Sequence, residues 1–265
     1  MSAARRALVT GASSGIGEAT AKLLASRGYR VALLARRRDE LERVRASLSN
    51  AETHLVVECD LRDDAALERA VGEIRERFGA LDLLVQNAGH GYLAKVEETE
   101  PRKVRELLEL NVASVLSLSR LALPLLRNGA APVMVLVSSI VGRRGIPGQA
   151  VYSASKAALN SLGEALRIEW ATDSIAVCTL DVGLTRTPFF ANQPNPRALP
   201  GPNLAGAADP ESVAHAILEL DRAPQPERCL SFKWRLLAIA NVLAPRLADR
   251  LLVRRMGGGW RAPTR

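Results

Sequence analysis

Short apolar runs alternate along this chain with longer segments in which apolar residues recur every three or four positions. The apolar runs predict strands near 6–10, 30–35, 54–59, 82–86, 132–138, 175–180 and 228–232. The amphipathic segments predict helices near 15–28, 38–49, 63–78, 101–127, 151–172 and 210–221. Strands this uniformly apolar, each followed by a helix, imply a parallel sheet covered on both faces. Right-handed crossovers make such a sheet doubly wound. The expected fold is α/β, with about seven strands, and no repeat of solenoid length interrupts it.

Candidate chemistry gathers where strands end. The first strand runs into Thr10-Gly11-Ala12-Ser13-Ser14-Gly15-Ile16-Gly17, where a helix begins. Glycines there let the backbone turn sharply and approach a pyrophosphate, and the helix N-terminus offers unpaired N–H groups to its charge. The second strand runs into Ala35-Arg36-Arg37-Arg38. An acidic residue at this place would suit a ribose 2′-hydroxyl, whereas the Arg36 guanidinium suits a 2′-phosphate. Ser13 would add a hydroxyl donor. Arg37 stands beside the same group or, with Arg38, belongs to a solvated helix start. Asp60, after the third strand, either accepts from an adenine amino group or caps the helix that follows.

The fourth strand ends in Gln86-Asn87-Ala88-Gly89, where small residues let the backbone pass close to a ligand. His90 and Tyr92 follow on a loop, either as the rim of a pocket or as ordinary loop residues. Asn111 lies among leucines in a long helix and needs buried partners; it either bonds neighbouring backbone or holds a water near Lys156. The fifth strand delivers Ser138-Ser139 at its carboxyl end, where ligands of open parallel sheets bind. A serine there donates to a carbonyl oxygen or caps the loop. Thirteen residues beyond Ser139 comes Tyr152-Ser153-Ala154-Ser155-Lys156. The Tyr152 and Lys156 side chains fall on one side of a helix, a turn apart. An ammonium close to a phenol lowers the phenol pKa and fits it to exchange a proton with a carbonyl or an alcohol.

Composition narrows the reading. A chain of 265 residues is expected as one domain with a large core. Its 36 Lys and Arg against 28 Asp and Glu give a net charge of +8, which favours anionic ligands and phosphate-bearing cofactors. No aromatic-plus-basic platform accompanies that charge, so nucleic-acid binding is not expected. Cys59, Cys178 and Cys229 are far apart and read as free thiols in a reducing compartment rather than a disulfide framework or metal site. No signal-peptide core precedes the first strand, and the longest uncharged apolar run, around 130–142, is too short to span a bilayer. A cytoplasmic location is the default.

Taken together, the 10–17 loop, Asn87-Ala88-Gly89, Asn111, Ser139 and Tyr152-Ser-Ala-Ser-Lys156 resemble the short-chain dehydrogenase/reductase family in order and spacing, over roughly 5–232. The resemblance implies a Rossmann-type fold with a single active site, no metal and an NADP(H) cofactor. It implies Tyr152 as general acid/base, Ser139 as the donor that orients the carbonyl, Lys156 on the phenol and the nicotinamide ribose, and Asn111 holding a water in a proton relay. Cofactor contacts are implied at Gly11, Ser13, Ser14, Gly15, Ile16, Gly17, Arg36, Arg37, Asp60, Leu61, Asn87, Ala88, Gly89, Tyr152, Lys156, Gly183, Thr185 and Thr187. Asp60 would meet the adenine, Asn87 lie near its ribose and Thr187 meet the carboxamide. Two departures stand out. Gln86 replaces the family's frequent asparagine, and Val182 stands where a proline would have fixed φ on the nicotinamide side.

Two stretches lie outside that pattern. Residues 187–208 are rich in Pro, Asn and Gly and read as a lid, where Phe189 and Phe190 either close an apolar pocket or pin the loop to the core. Residues 233–265 read as an amphipathic helical extension broken at Pro245, with a loose tail from Gly257. A flap or oligomer contact is the favoured role of that extension; a basic anchor on an anionic membrane is the other. The leading expectation is an NADPH-dependent carbonyl reductase, reversible as an alcohol dehydrogenase, acting on a small carbonyl or alcohol as a homodimer or homotetramer. The alternatives are a catalytically idle dinucleotide-binding regulator and a membrane-surface reductase of lipophilic substrates.

Overall fold

The computed structural model describes residues 4–256. Seven parallel strands form one sheet in the order β3-β2-β1-β4-β5-β6-β7. They are β1 Arg6–Thr10, β2 Arg30–Ala35, β3 Leu55–Glu58, β4 Leu83–Gln86, β5 Val133–Ser139, β6 Ala176–Val182 and β7 Glu227–Cys229. The helices are α1 Gly15–Ser26, α2 Arg38–Ala46, α3 Asp64–Phe78, α4 Pro101–Leu108, α5 Ser114–Arg127, α6 Ala150–Glu169, α7 Phe189–Asn192, α8 Pro210–Arg222, α9 Phe232–Leu243 and α10 Pro245–Met256. This is the doubly wound α/β fold expected from the alternation.

Alternate strand residues feed opposite faces of the sheet. Ala7, Val9, Val31, Leu33, Val133 and Val135 join α1 and α8 in one core layer. Leu8, Ala32, Leu34, Leu84, Met134 and Leu136 join α3, α5 and α6 in the other. Because both faces are buried, the strands read as continuous apolar runs and their ends were legible to within a few residues.

Four differences from the expected elements bear on the site. The helix expected over 101–127 is divided by a π turn, Glu109–Ala113, with the fully buried Asn111 at its centre. β6 runs on to Val182 and pairs Ser139 with Val182 at the sheet edge. β7 is shorter than expected, and Phe232 already opens a helix. The run Pro101–Arg127 is long and apolar enough, by length and composition, to cross a membrane. Its Leu107, Val115, Leu118, Leu125 and Leu126 are buried in the protein, as in a core helix. Cys59 and Cys178 are buried and Cys229 partly so, all as free thiols. The tail expected from Gly257 lies outside the described residues.

Polar staples fix the strand starts. Asp82, just before β4, accepts from Arg6 Nε at 2.9 Å, from Arg6 N at 2.7 Å and from Ala130 N at 2.6 Å. Burial pushes the Asp82 carboxyl up, but Arg6 and these two amides outweigh it and hold the group below the usual carboxylate range. Asp221 on α8 accepts from Arg5 at 2.6 Å and from the Tyr29 hydroxyl, joining α8 to the start of the sheet. Asp82→Ala strips Arg6 and two amides of their acceptor, so unfolding in denaturant should show a loss of about 3–5 kcal/mol. Because the folded Asp82 pKa is depressed, its stabilisation is present above the unfolded value of about 3.9 and fades as pH falls through the folded value. The variant should therefore lose less stability than the parent over that acid range.

Candidate active site

A cleft of about 1660 Å³ opens along the carboxyl ends of the strands. It begins where β1 and β4 lie side by side and their connections leave in opposite directions, the place where open α/β sheets part to admit a ligand. The glycine-rich loop forms one wall. Gly11 and Gly15 sit at φ of 66° and 57°, in the left-handed region that glycine alone enters freely. A Cβ on Gly11 would stand 2.9 Å from Asn87 Nδ2, and one on Gly17 would stand 2.2 Å from the Gly11 carbonyl oxygen. Gly17 therefore does not line the cleft; it lets α1 seat against the loop that does.

Thr10 ties this loop to the one after β4. Its hydroxyl accepts from Asn87 N at 2.9 Å and Ala88 N at 3.0 Å and donates to Val85 O at 3.3 Å, while Asn87 Nδ2 donates to Thr10 O at 2.9 Å. The sequence reading gave Thr10 no role. Its signal was a hydroxyl at the last position of an apolar strand.

The basic wall differs in detail from expectation. Arg37 donates to Ser13 Oγ at 3.0 Å and also faces Ser14 Oγ at 3.5 Å. Both arginines are exposed and line the cleft. Asp60 bonds Arg62 at 2.6 Å and does not cap α3. That cap is Asp63, which accepts from Ala66 N at 3.0 Å. The Arg62 hydrogen bond leads in holding the Asp60 carboxyl below its usual range. Leu61, Asn87, Ala88, Gly89, Gly183, Thr185 and Thr187 line the same cleft, as do Ser13, Ser14 and Ile16.

The chemical end is built by β5 and α6. Ser139, Tyr152 and Lys156 all line the cleft. Ser139 Oγ donates to Val182 O at 3.2 Å and accepts from Val141 N at 3.4 Å. These are long bonds, readily exchanged for a ligand oxygen. Burial pushes the Tyr152 hydroxyl well above its ordinary range, and the Ser139 hydroxyl opposes that. Burial also pushes Lys156 down to about 8. Lys156 Nζ lies 5.9 Å from the Tyr152 ring centroid and donates to Val137 O at 2.9 Å. The expected acidification of the phenol by the ammonium is thus not a feature of this structure: desolvation dominates both groups, and the amine is held on a carbonyl.

Asn111 stands behind the cleft rather than in its wall. Its Oδ1 accepts from His90 N at 3.0 Å, and its Nδ2 donates to His90 O at 3.0 Å and Ser155 Oγ at 3.1 Å. Both amide hydrogens and one acceptor position of the side chain are taken by protein groups. His90 lines the cleft, whereas Tyr92 is buried with its hydroxyl accepting from Glu100 N. Gln86 faces α5, donating to Val115 O and Ser119 Oγ, which explains why this departure leaves the cleft untouched. Val182 serves through its carbonyl, bonded to Ser139. Behind them Arg143 Nε meets the buried Asp181 at 2.9 Å and fixes the loop after β5 to β6. The lone acid in an apolar strand was the signal for Asp181; nothing local pointed to Arg143.

The 187–208 stretch folds over this end. Phe189 lies 5.5 Å from Tyr152, centroid to centroid, and Phe190 meets Phe189 edge-on at 5.3 Å. Both phenylalanines line the cleft, which favours the pocket reading over the core-pinning one. Pro194 O accepts from Leu93 N at 2.9 Å, tying the stretch to the far wall.

Comparison with known proteins places these features in a group. The family model for short chain dehydrogenase matches residues 5–198. Carbonyl reductase family member 4 of Xenopus tropicalis is 32% identical over 216 residues, spanning 82% of this chain and 90% of its own length. Among solved structures, a 3-ketoacyl-(acyl-carrier-protein) reductase from Brucella melitensis complexed with NADH superposes with TM-score 0.76 at 29% identity, over 85% of this chain and 96% of that one. An alcohol dehydrogenase from Thermococcus sibiricus complexed with 5-hydroxy-NADP gives TM-score 0.76 at 30% identity, over 86% and 96%.

Replacing Thr10 with Val keeps its shape and leaves the Asn87 and Ala88 amides without their acceptor. Urea unfolding should show a loss of about 1–3 kcal/mol, and dinucleotide affinity should fall because the two cleft loops part.

Proposed function

The chain belongs to the short chain dehydrogenase family of oxidoreductases, and from that premise we propose that it is an NADP(H)-dependent carbonyl reductase, reversible as an alcohol dehydrogenase. The observation that carries the reading is the convergence of Ser139, Tyr152 and Lys156 on one wall of a cleft whose other wall is the glycine-rich loop.

The residues present fit a phosphorylated dinucleotide. The positive-φ glycines leave room where a Cβ would crowd the loop, and Gly15 and Ile16 put the start of α1 in the cleft wall, where helix N–H groups suit a phosphate. Arg36, Arg37 and Ser13 would hold a 2′-phosphate, with forked donors and no acidic side chain in the hydrogen bonds of Arg37. Asp60 and Leu61 would meet the adenine, Asn87 to Gly89 the adjoining ribose, and Gly183, Thr185 and Thr187 the carboxamide side. Bound there, the cofactor supplies or accepts the hydride at the carbonyl carbon.

This chain's own groups handle the oxygen. Ser139 Oγ exchanges its bond to Val182 O for the carbonyl oxygen and orients it. Tyr152 donates its proton to that oxygen in reduction and takes it back in oxidation. Burial keeps the proton on the phenol until an oxygen acquires charge beside it. Lys156, at about 8, holds a proton at neutral pH that is released at little cost, and its Nζ would restore the one the phenol gives up. Asn111 positions His90 and, through Ser155, the first turns of α6. Leu93, Ile146, Leu184, Phe189, Phe190 and Trp234 surround the remaining space and favour a lipophilic carbonyl compound. Exposed Leu116 on α5 and Ile168 on α6 fit self-association through that side of the molecule.

Tyr152→Phe should lower kcat by at least about 10²-fold, with NADPH affinity by fluorescence titration changed less than about twofold; near-parental turnover would refute the assignment. The double variant Arg36→Asp/Arg37→Ala should raise kcat/KM for NADH relative to NADPH by more than about tenfold. An unaltered ratio would remove the 2′-phosphate from this end of the cleft.

A further inference from the structure

The two C-terminal helices present a surface that the reaction does not use. On α9, Phe232, Leu236, Ile239 and Leu243 recur at helical spacing and are all exposed, with Phe232 at 73% and Leu243 at 79%. Arg235 and Lys233 project on either side of that row. On α10, Leu247 and Leu251 are exposed four residues apart, and Arg246, Arg250 and Arg254 form a parallel exposed row one position before them. None of these five cations is in an ion pair among the described residues. From 232 to 256 the sequence carries six basic residues and a single acid, Asp249.

The inner faces of both helices are already engaged. Ala248 and Leu252 are buried, Asp249 pairs with Arg144 on the loop after β5, and α9 and α10 pack on each other. Trp234 and Leu252 line the cleft itself. The outer rows are therefore not an unfolded remnant awaiting the core. They are a fixed apolar and cationic face on a segment that also walls the active site.

We propose that this face docks the enzyme on an anionic lipid surface. Apolar rows flanked by arginines are what the boundary between headgroups and acyl chains accepts. A second copy of the chain fits poorly, because pairing the face with itself would oppose two sets of arginines with no free acid between them. Docking on this face also sets the apolar end of the cleft beside lipid. That consequence rests on the reductase reading above, and makes the substrate a carbonyl compound held in the bilayer.

The test is sedimentation of the full chain with vesicles of phosphatidylcholine alone or mixed with phosphatidylserine, read by the protein in the pellet so that turnover plays no part. Binding to the anionic vesicles should be at least about tenfold tighter, and should weaken as salt is raised. The triple variants Leu236→Ser/Ile239→Ser/Leu243→Ser and Arg246→Glu/Arg250→Glu/Arg254→Glu, shown to be folded by circular dichroism, should each lose at least about tenfold in that binding. Equal binding to both vesicles, no binding, or undiminished binding by the variants overturns the proposal. So does a parent dimer that the leucine variant converts to monomer, which would give the face to a second copy. If the chain sediments as expected but fails to reduce any vesicle-borne ketone, the surface stands and the reductase reading falls.

Discussion

One buried amide holds the working end of this molecule together. Asn111 sits at the centre of a π turn, with both ends of its side chain committed to the loop after β4 and to Ser155 on α6. An unpartnered amide at that depth would cost a few kcal/mol, so the three groups are ordered jointly or not at all. The irregular turn brings the side chain to that depth, midway along an otherwise regular helical run. From it follow the course of Gly89 and His90 along the cleft and the seating of the helix that presents Tyr152 and Lys156.

The second constraint is desolvation. The cleft is deep enough that burial, not the pairing of unlike charges, sets the protonation of both Tyr152 and Lys156. It moves them in opposite directions, the phenol up and the amine down, so that two groups of nearly equal ordinary proton affinity are driven apart. Under the proposed chemistry this makes return of a proton from the Lys156 ammonium to the spent phenolate favourable. The carbonyl of Val137 keeps the amine where it is, and Ser138, bonded to the Lys156 carbonyl at 3.0 Å, fixes the backbone that carries it.

Around this end the walls differ in kind. The glycine-rich loop and the β4 loop are joined by the Thr10 hydroxyl and are rigid through close backbone approach. The opposite wall, from the 187–208 stretch and the C-terminal helices, carries Phe189, Phe190, Trp234 and Leu252 and is tied through Leu93 to Pro194 and Arg144 to Asp249. Under the proposed function, close backbone packing at the cofactor side and an apolar cover at the other suit a protein that holds a constant cofactor and admits lipophilic molecules.

The alternation of strands and helices, the glycine-rich turn and the four-residue step from Tyr152 to Lys156 were determined by the sequence alone, because each is local: a hydrophobic period, a φ that glycine tolerates, the pitch of a helix. Their spacing sufficed to suggest the family. What only tertiary structure decided were choices among residues a few positions apart or far along the chain. Arg37 reached Ser13; Asp63 rather than Asp60 capped its helix; Lys156 bonded Val137; Arg143 found Asp181 across 38 residues. The C-terminal leucines read as an amphipathic helical extension, and the fold set which of them face outward. A side chain's partner depends on which elements the sheet order brings beside it, and that order arises from burying both faces of the sheet at once, which no single stretch of sequence encodes.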